Sequence, residues 1–150
     1  MKRREFCIHT CQALSLVAIS GALDACSKSP SSPSNAAPAL PTIAGTPSGG
    51  GVNLTIDTSS PLATAGGAAL VQSAAGNFLV SRSSSTDFIA LTAICTHEQC
   101  IVSGFQNSRY VCPCHGSQYS TSGAVVQGPA ARALQPFATT FTNNVLTIRT

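Results

Sequence analysis

From residue 52 to the C-terminus, short apolar runs alternate with turn residues. Residues 53–57, 69–72, 77–81, 88–92 and 145–149 are rich in branched or aromatic side chains and are separated by Gly, Ser, Asn and Pro, a pattern that predicts a strand over each. No segment after residue 50 keeps apolar residues at helical spacing over several turns, so the fold class is read as all-β. Residues 51–150 make up one ordinary domain with room for one core.

Ahead of that region, residues 27–50 are dense in Ser, Pro, Ala and Gly and carry almost no charge, the composition of a flexible linker. A free chain of that length has an end-to-end distance of roughly 25 to 30 Å. It would either let a head range between partners or act as a passive spacer. Residues 1–26 read as an export signal, because Lys2, Arg3 and Arg4 precede an apolar stretch over residues 13–23. Arg3-Arg4 with Phe6 is similar to a twin-arginine signal, with Lys2 in place of the usual Ser or Thr. Leu23-Asp24-Ala25-Cys26 resembles a bacterial lipobox, in which Asp24 is unusual; the resemblance implies lipidation at Cys26 and a periplasmic or extracytoplasmic place on the cell envelope. The apolar stretch is well short of the roughly 20 residues that span a bilayer, so no membrane-spanning anchor is expected. Cys7, His9 and Cys11 look like metal ligands but lie inside the signal and are assigned no chemistry.

The formal net charge of +3 includes the basic residues of the signal, and the remaining basic residues do not cluster. A nucleic-acid surface is therefore not expected. No nucleophile paired with a general base points to stand-alone catalysis.

The chemistry lies in two short clusters, Cys95-Thr96-His97-Glu98-Gln99-Cys100 and Cys112-Pro113-Cys114-His115-Gly116-Ser117. Thiolates suit iron–sulfur clusters and zinc, and imidazole suits iron or zinc. On ligand type alone a tetrahedral zinc module stays open beside an iron–sulfur centre.

The C-x-H and C-x-x-H loops, each with an additional cysteine, closely resemble those of Rieske iron–sulfur proteins. The resemblance implies a base of antiparallel strands with a small cluster-binding subdomain, near residues 92–128, inserted into it. It implies a [2Fe-2S] cluster with Cys95 and Cys112 on one iron and His97 and His115 on the other, and a disulfide between Cys100 and Cys114. Two ferric ions, two sulfides and two thiolates sum to a neutral oxidised centre, which takes an electron more readily than a dianionic four-cysteine cluster. Such centres span roughly −150 to +300 mV, against about −400 mV for plant-type ferredoxins. Ser117 and Tyr119 fall where high-potential members keep hydroxyls that bond cluster sulfurs, which favours the reduced form. Without the resemblance they are a turn residue and a strand aromatic. Gly128-Pro129-Ala130 is similar to the proline loop that covers the cluster's third side. Ferredoxins that serve cytosolic oxygenases generally lack the second cysteine pair, and a disulfide belongs in an oxidising compartment.

The expected function is electron transfer between periplasmic or membrane redox partners. It is that of a free carrier, or of the iron–sulfur subunit of a quinol–cytochrome c oxidoreductase or arsenite-oxidase-like complex. Respiratory relatives usually have Leu-Gly where this chain has Glu98-Gln99, at the tip that docks into an apolar quinol pocket. A charged tip is costly to bury there unless paired. Glu98 either steers the tip toward a basic partner or is a solvated surface acid.

Overall fold

The structure, a computed structural model, describes residues 37–150. The export signal, Arg3-Arg4, Cys7, His9, Cys11, Cys26 and linker residues 27–36 lie outside the described residues. In chain order the strands are β1 (Thr42–Ala44), β2 (Thr46–Ser48), β3 (Gly51–Thr55), β4 (Ala68–Ser73), β5 (Gly76–Arg82), β6 (Phe88–Thr92) and β7 (Gly104–Gln106). They continue with β8 (Arg109–Val111), β9 (Gln118–Ser120), β10 (Val125–Gln127), β11 (Pro136–Phe137), β12 (Thr139–Thr142) and β13 (Val145–Arg149). No helix occurs among the described residues, and the all-β expectation holds.

Three sheets form, ordered β1-β4-β5-β6-β11, β10-β9-β8-β7 and β12-β13-β3-β2. The first explains why its strands read as continuous apolar runs rather than as alternating ones, because both of its faces are covered. Ala68, Leu70, Leu79, Leu91 and Ala93 point into a core shared with Cys95, Val102, Tyr110, Cys112 and Tyr119. The intervening Ala69, Val71, Phe78, Val80 and Ala90 point the other way, against Val52, Leu54, Leu146 and Ile148 of the third sheet. One sheet thus serves as the floor of the cysteine-bearing half and as the inner wall of the base.

On the base side, Phe78 meets Phe137 edge-on at 5.1 Å, and Phe88 packs on Phe141 at 4.8 Å. The Arg82 guanidinium lies over Phe88. Its donors are spent on the carbonyls of Leu62, Ala63, Ser84 and Ser85, tying two loops to the end of β5.

The linker boundary requires correction. Residues 37–50, read as part of a flexible tether, belong to the folded domain: β1 pairs parallel with β4, and β2 pairs antiparallel with β3. Ala39 bridges Gly104, Leu40 N–H donates to the Ser103 carbonyl at 2.7 Å, and Leu40 is buried. Both strands are sheet edges, where a proline's missing N–H is tolerated, so a Pro-rich composition is compatible with pairing here. The parallel β1–β4 pair also departs from a wholly antiparallel base. Gly104 permits the crossing, since a Cβ there would meet the Ala37 Cβ at 3.0 Å.

Candidate metal centre

Two loops carry the cysteines and histidines, and their backbones follow one hydrogen-bond plan. In the loop after β6, Cys95 N–H donates to the Cys100 carbonyl at 2.8 Å and Gln99 N–H to the Cys95 carbonyl at 3.0 Å. In the loop between β8 and β9, Cys112 N–H donates to Ser117 at 2.8 Å and Gly116 N–H to Cys112 at 3.0 Å. Gln99 and Gly116 occupy matching places and both have positive φ, 56° and 75°. The first loop stands on the Ile94–Ile101 bridge and the second on the Val111–Gln118 pair of β8 and β9.

The left-handed backbone at Gln99 costs a side-chain residue about 1–2 kcal/mol. Gln99→Gly relieves it at the expense of unfolded-chain entropy. We expect a gain of up to about 1 kcal/mol in a denaturant titration; a loss would mean that the Gln99 side chain makes a stabilising contact.

A disulfide joins Cys100 to Cys114, with Cα atoms 6.6 Å apart. It ties the two loops together as the resemblance implied. Cys95 and Cys112 remain free thiols, 2% and 1% exposed, while His97 and His115 are exposed with ring centroids 4.9 Å apart. The two thiols are thus buried and the two imidazoles exposed, on loops that the disulfide ties together. Cys100 and Cys114 also lie near Cys112, but their sulfurs are consumed by the disulfide.

The polarity around the sulfurs is directional. Burial opposes ionisation of Cys95, yet the Tyr119 hydroxyl and the backbone N–H groups of His97 and Glu98 outweigh it and hold the thiol below its usual range. Cys112 is pushed up, by burial first and by the nearby Cys95 sulfur. The pair thus shares its protons unequally, with Cys95 ionising more readily than Cys112.

Tyr119 is fully buried, with its Oη 3.3 Å from Cys95 Sγ and 3.0 Å from Thr96 Oγ1, and it accepts from Thr96 N–H at 3.2 Å. Thr96 Oγ1 donates its only proton to the Arg132 carbonyl at 2.6 Å. It can therefore only accept from Tyr119, whose proton is shared between Thr96 and Cys95. Burial, then the contact with Cys95, push the Tyr119 hydroxyl up, so it keeps that proton. Sequence reasoning did not single out Thr96; its place directly after Cys95 was the available signal.

Ser117 is fully buried and accepts from Ala130 N–H at 3.0 Å. Among the described residues no acceptor is found for its own proton. The segment after the cis Gly128–Pro129 bond is pinned to both loops, through Ala130 to Ser117 and through the Arg132 carbonyl to Thr96, and Leu134 N–H donates to Gly123. Gly128 and Pro129 themselves are exposed.

Two buried thiols, two exposed imidazoles and a buried hydroxyl fit a [2Fe-2S] cluster, which needs thiolates at one iron and neutral imidazoles at the other. An all-β scaffold that raises two disulfide-joined Cys/His loops defines the class of Rieske-type electron-transfer proteins. The sequence profile of the Rieske [2Fe-2S] domain matches residues 54–138, and the chain belongs to that family, whose members carry a [2Fe-2S] cluster.

The iron–sulfur subunit of the cytochrome b6-f complex of Prochlorococcus marinus strain AS9601 is 42% identical over 74 residues, 47% of this chain and 42% of that protein. The chain thus spans less than half the length of such curated relatives. The plasma membrane Rieske protein PetC3 of Synechocystis PCC 6803 matches with a TM-score of 0.54 and 30% identity, over 65% of this chain and 99% of that one. The ferredoxin of carbazole 1,9a-dioxygenase from Nocardioides aromaticivorans IC177 shares the fold, at 15% identity and a TM-score of 0.50, over 65% of this chain and 96% of that one.

Proposed function

We propose that this protein carries single electrons through a [2Fe-2S] cluster that Cys95 and Cys112 would hold at one iron and His97 and His115 at the other. The observation that carries the reading is the unlike character of the donors: two free, buried thiols and two exposed imidazoles, on two loops joined by one disulfide. The bound cluster supplies a reversible one-electron couple. The chain's own groups decide where that couple lies and what reaches it. Burial of Cys95 and Cys112 keeps water from the sulfurs, and the backbone N–H groups directed at them offset negative charge. Tyr119 and Ser117 each bring a hydroxyl proton to the sulfur side, and added negative charge there strengthens both bonds. His97 and His115 form the exposed face, where a partner would touch the centre.

Electron paramagnetic resonance of the reduced protein tests this reading, with a potentiometric titration of the same sample. A rhombic signal of low average g and a positive potential that falls as pH rises are expected. A colourless, zinc-loaded protein would overturn the electron-carrier reading. Ser117→Ala and Tyr119→Phe should each lower the midpoint by several tens of millivolts or more, as expected when a charge-assisted hydrogen bond of roughly 1.5–3 kcal/mol is lost. An unchanged midpoint in both would remove their tuning role.

The partners are redox proteins of the cell envelope. The similarity to a cytochrome b6-f iron–sulfur subunit supports a cytochrome-containing complex as one of them, whereas the charged tip favours a free carrier. Lipidation at Cys26 and export by the twin-arginine-like signal fit both. Purification from native membranes separates them: co-migration with a cytochrome b or a large molybdenum subunit identifies a complex subunit, and recovery of the chain alone identifies the carrier.

A further inference from the structure

Glu98 is the single acidic residue between Thr92 and Gly128. The shared backbone plan of the two loops gives it a specific neighbour. Counted from Cys95 and Cys112, Glu98 and His115 hold the same place, three residues on. Across the tip their side chains meet, with the Glu98 carboxylate 3.7 Å from His115 Nε2. Glu98, His97 and His115 bring one ligand-type atom each to within 4.8 Å of one another. Arg132 is joined to this region through its backbone carbonyl, and the Arg109 guanidinium is engaged with Gln118.

We propose that the Glu98 carboxylate sets the potential of the centre, holding it below the value that the same loops would give with a neutral residue there. This rests on the cluster reading above. Reduction would add one negative charge to the centre, and a carboxylate 3.7 Å from His115 Nε2 would oppose that charge. Ser117 and Tyr119 act in the opposite sense from the sulfur side. The potential is thus balanced between buried donors that favour the electron and an exposed anion that resists it. Because Glu98 is 59% exposed in its side chain, mobile ions share its neighbourhood, and its influence weakens as salt rises.

The test is a charge series at one exposed position. Full-length wild type, Glu98→Gln and Glu98→Lys are titrated potentiometrically at fixed pH, in low and high salt, with the paramagnetic signal of each recorded. We expect Glu98→Gln to raise electron affinity at least threefold, with a tenfold rise corresponding to about 59 mV for one electron. Glu98→Lys should raise it again by a similar factor, and both steps should shrink at high salt. Equal potentials in the three proteins, each with an intact cluster signal, would overturn the proposal. So would a rise with Glu98→Gln that Glu98→Lys reverses or salt leaves untouched, which would point to shape rather than charge. A wild-type chain that lacks the signal overturns the cluster reading, and this inference with it.

Discussion

Expressed from residue 51, the domain should fail to keep its cysteine-bearing half folded, whereas the chain from residue 37 should fold fully. The lost segment supplies a buried wall. Leu40, 6% exposed, packs in the same core as Cys95, Cys112 and Tyr119. Its neighbours hold both sides: Phe105 N–H donates to the Pro38 carbonyl at 2.9 Å, Leu70 N–H to Pro41 at 2.9 Å and Gly45 N–H to Gln72 at 2.8 Å. Removing a buried leucine alone costs about 2–5 kcal/mol. The truncation also bares the edges of β3 and β4, in a domain whose total stability is on the order of 5–15 kcal/mol. Thermal melts of the two proteins, with iron content after reconstitution, decide the matter. Equal melting temperatures would show that residues 37–50 contribute nothing, contrary to their packing.

Replacing both disulfide cysteines, Cys100→Ser with Cys114→Ser, should be the most damaging change at the loop tips. The bridge spans a sequence separation of 14, for which loop-closure entropy gives about 3 kcal/mol. Its structural effect is more local than that figure conveys. The bridge is the covalent tie between the two loops; beside it stand the approach of Cys95 to Cys112, the Glu98–His115 contact, the bonds of Tyr119 to Cys95 and Thr96, and the Arg132–Thr96 and Ala130–Ser117 bonds through a third segment. Without the bridge, His97 and His115 lose the covalent constraint that keeps them paired. The expected result is a lower melting temperature and iron lost within hours in air, where wild type retains it. A double variant with an equally long-lived visible spectrum would show that the noncovalent contacts alone hold the tip.

The sequence made the base and the ligand loops readable for different reasons. Residues 88–92 and 145–149 coincide with β6 and β13, because branched and aromatic runs between turn residues have few alternatives to a strand. The assignment of Cys95, His97, Cys112 and His115 to one site came from the resemblance of their two loops to Rieske sequences, since ligand type alone also suits zinc. What composition hid was β1 and β2, where Pro and Ser resemble a tether yet sit on edges that accept them. Also hidden were the three-residue strands β7 to β10, too short to show a period. The contact of Thr96 with Arg132, 36 residues on, lies beyond any local pattern.

The central sheet has a consequence for how the protein ages. Leu70, Leu79 and Leu91 form the floor beneath Cys95 and Cys112, while Val71, Phe78 and Val80 on the same strands line the base. The insert is separate along the chain but has no floor of its own, so it cannot be cut out as a portable module. Damage at one face is felt at the other: a protein stripped of its iron would loosen as a whole and offer the base strands to proteolysis. Occupancy of the centre and the lifetime of the polypeptide are therefore bound together by three strands.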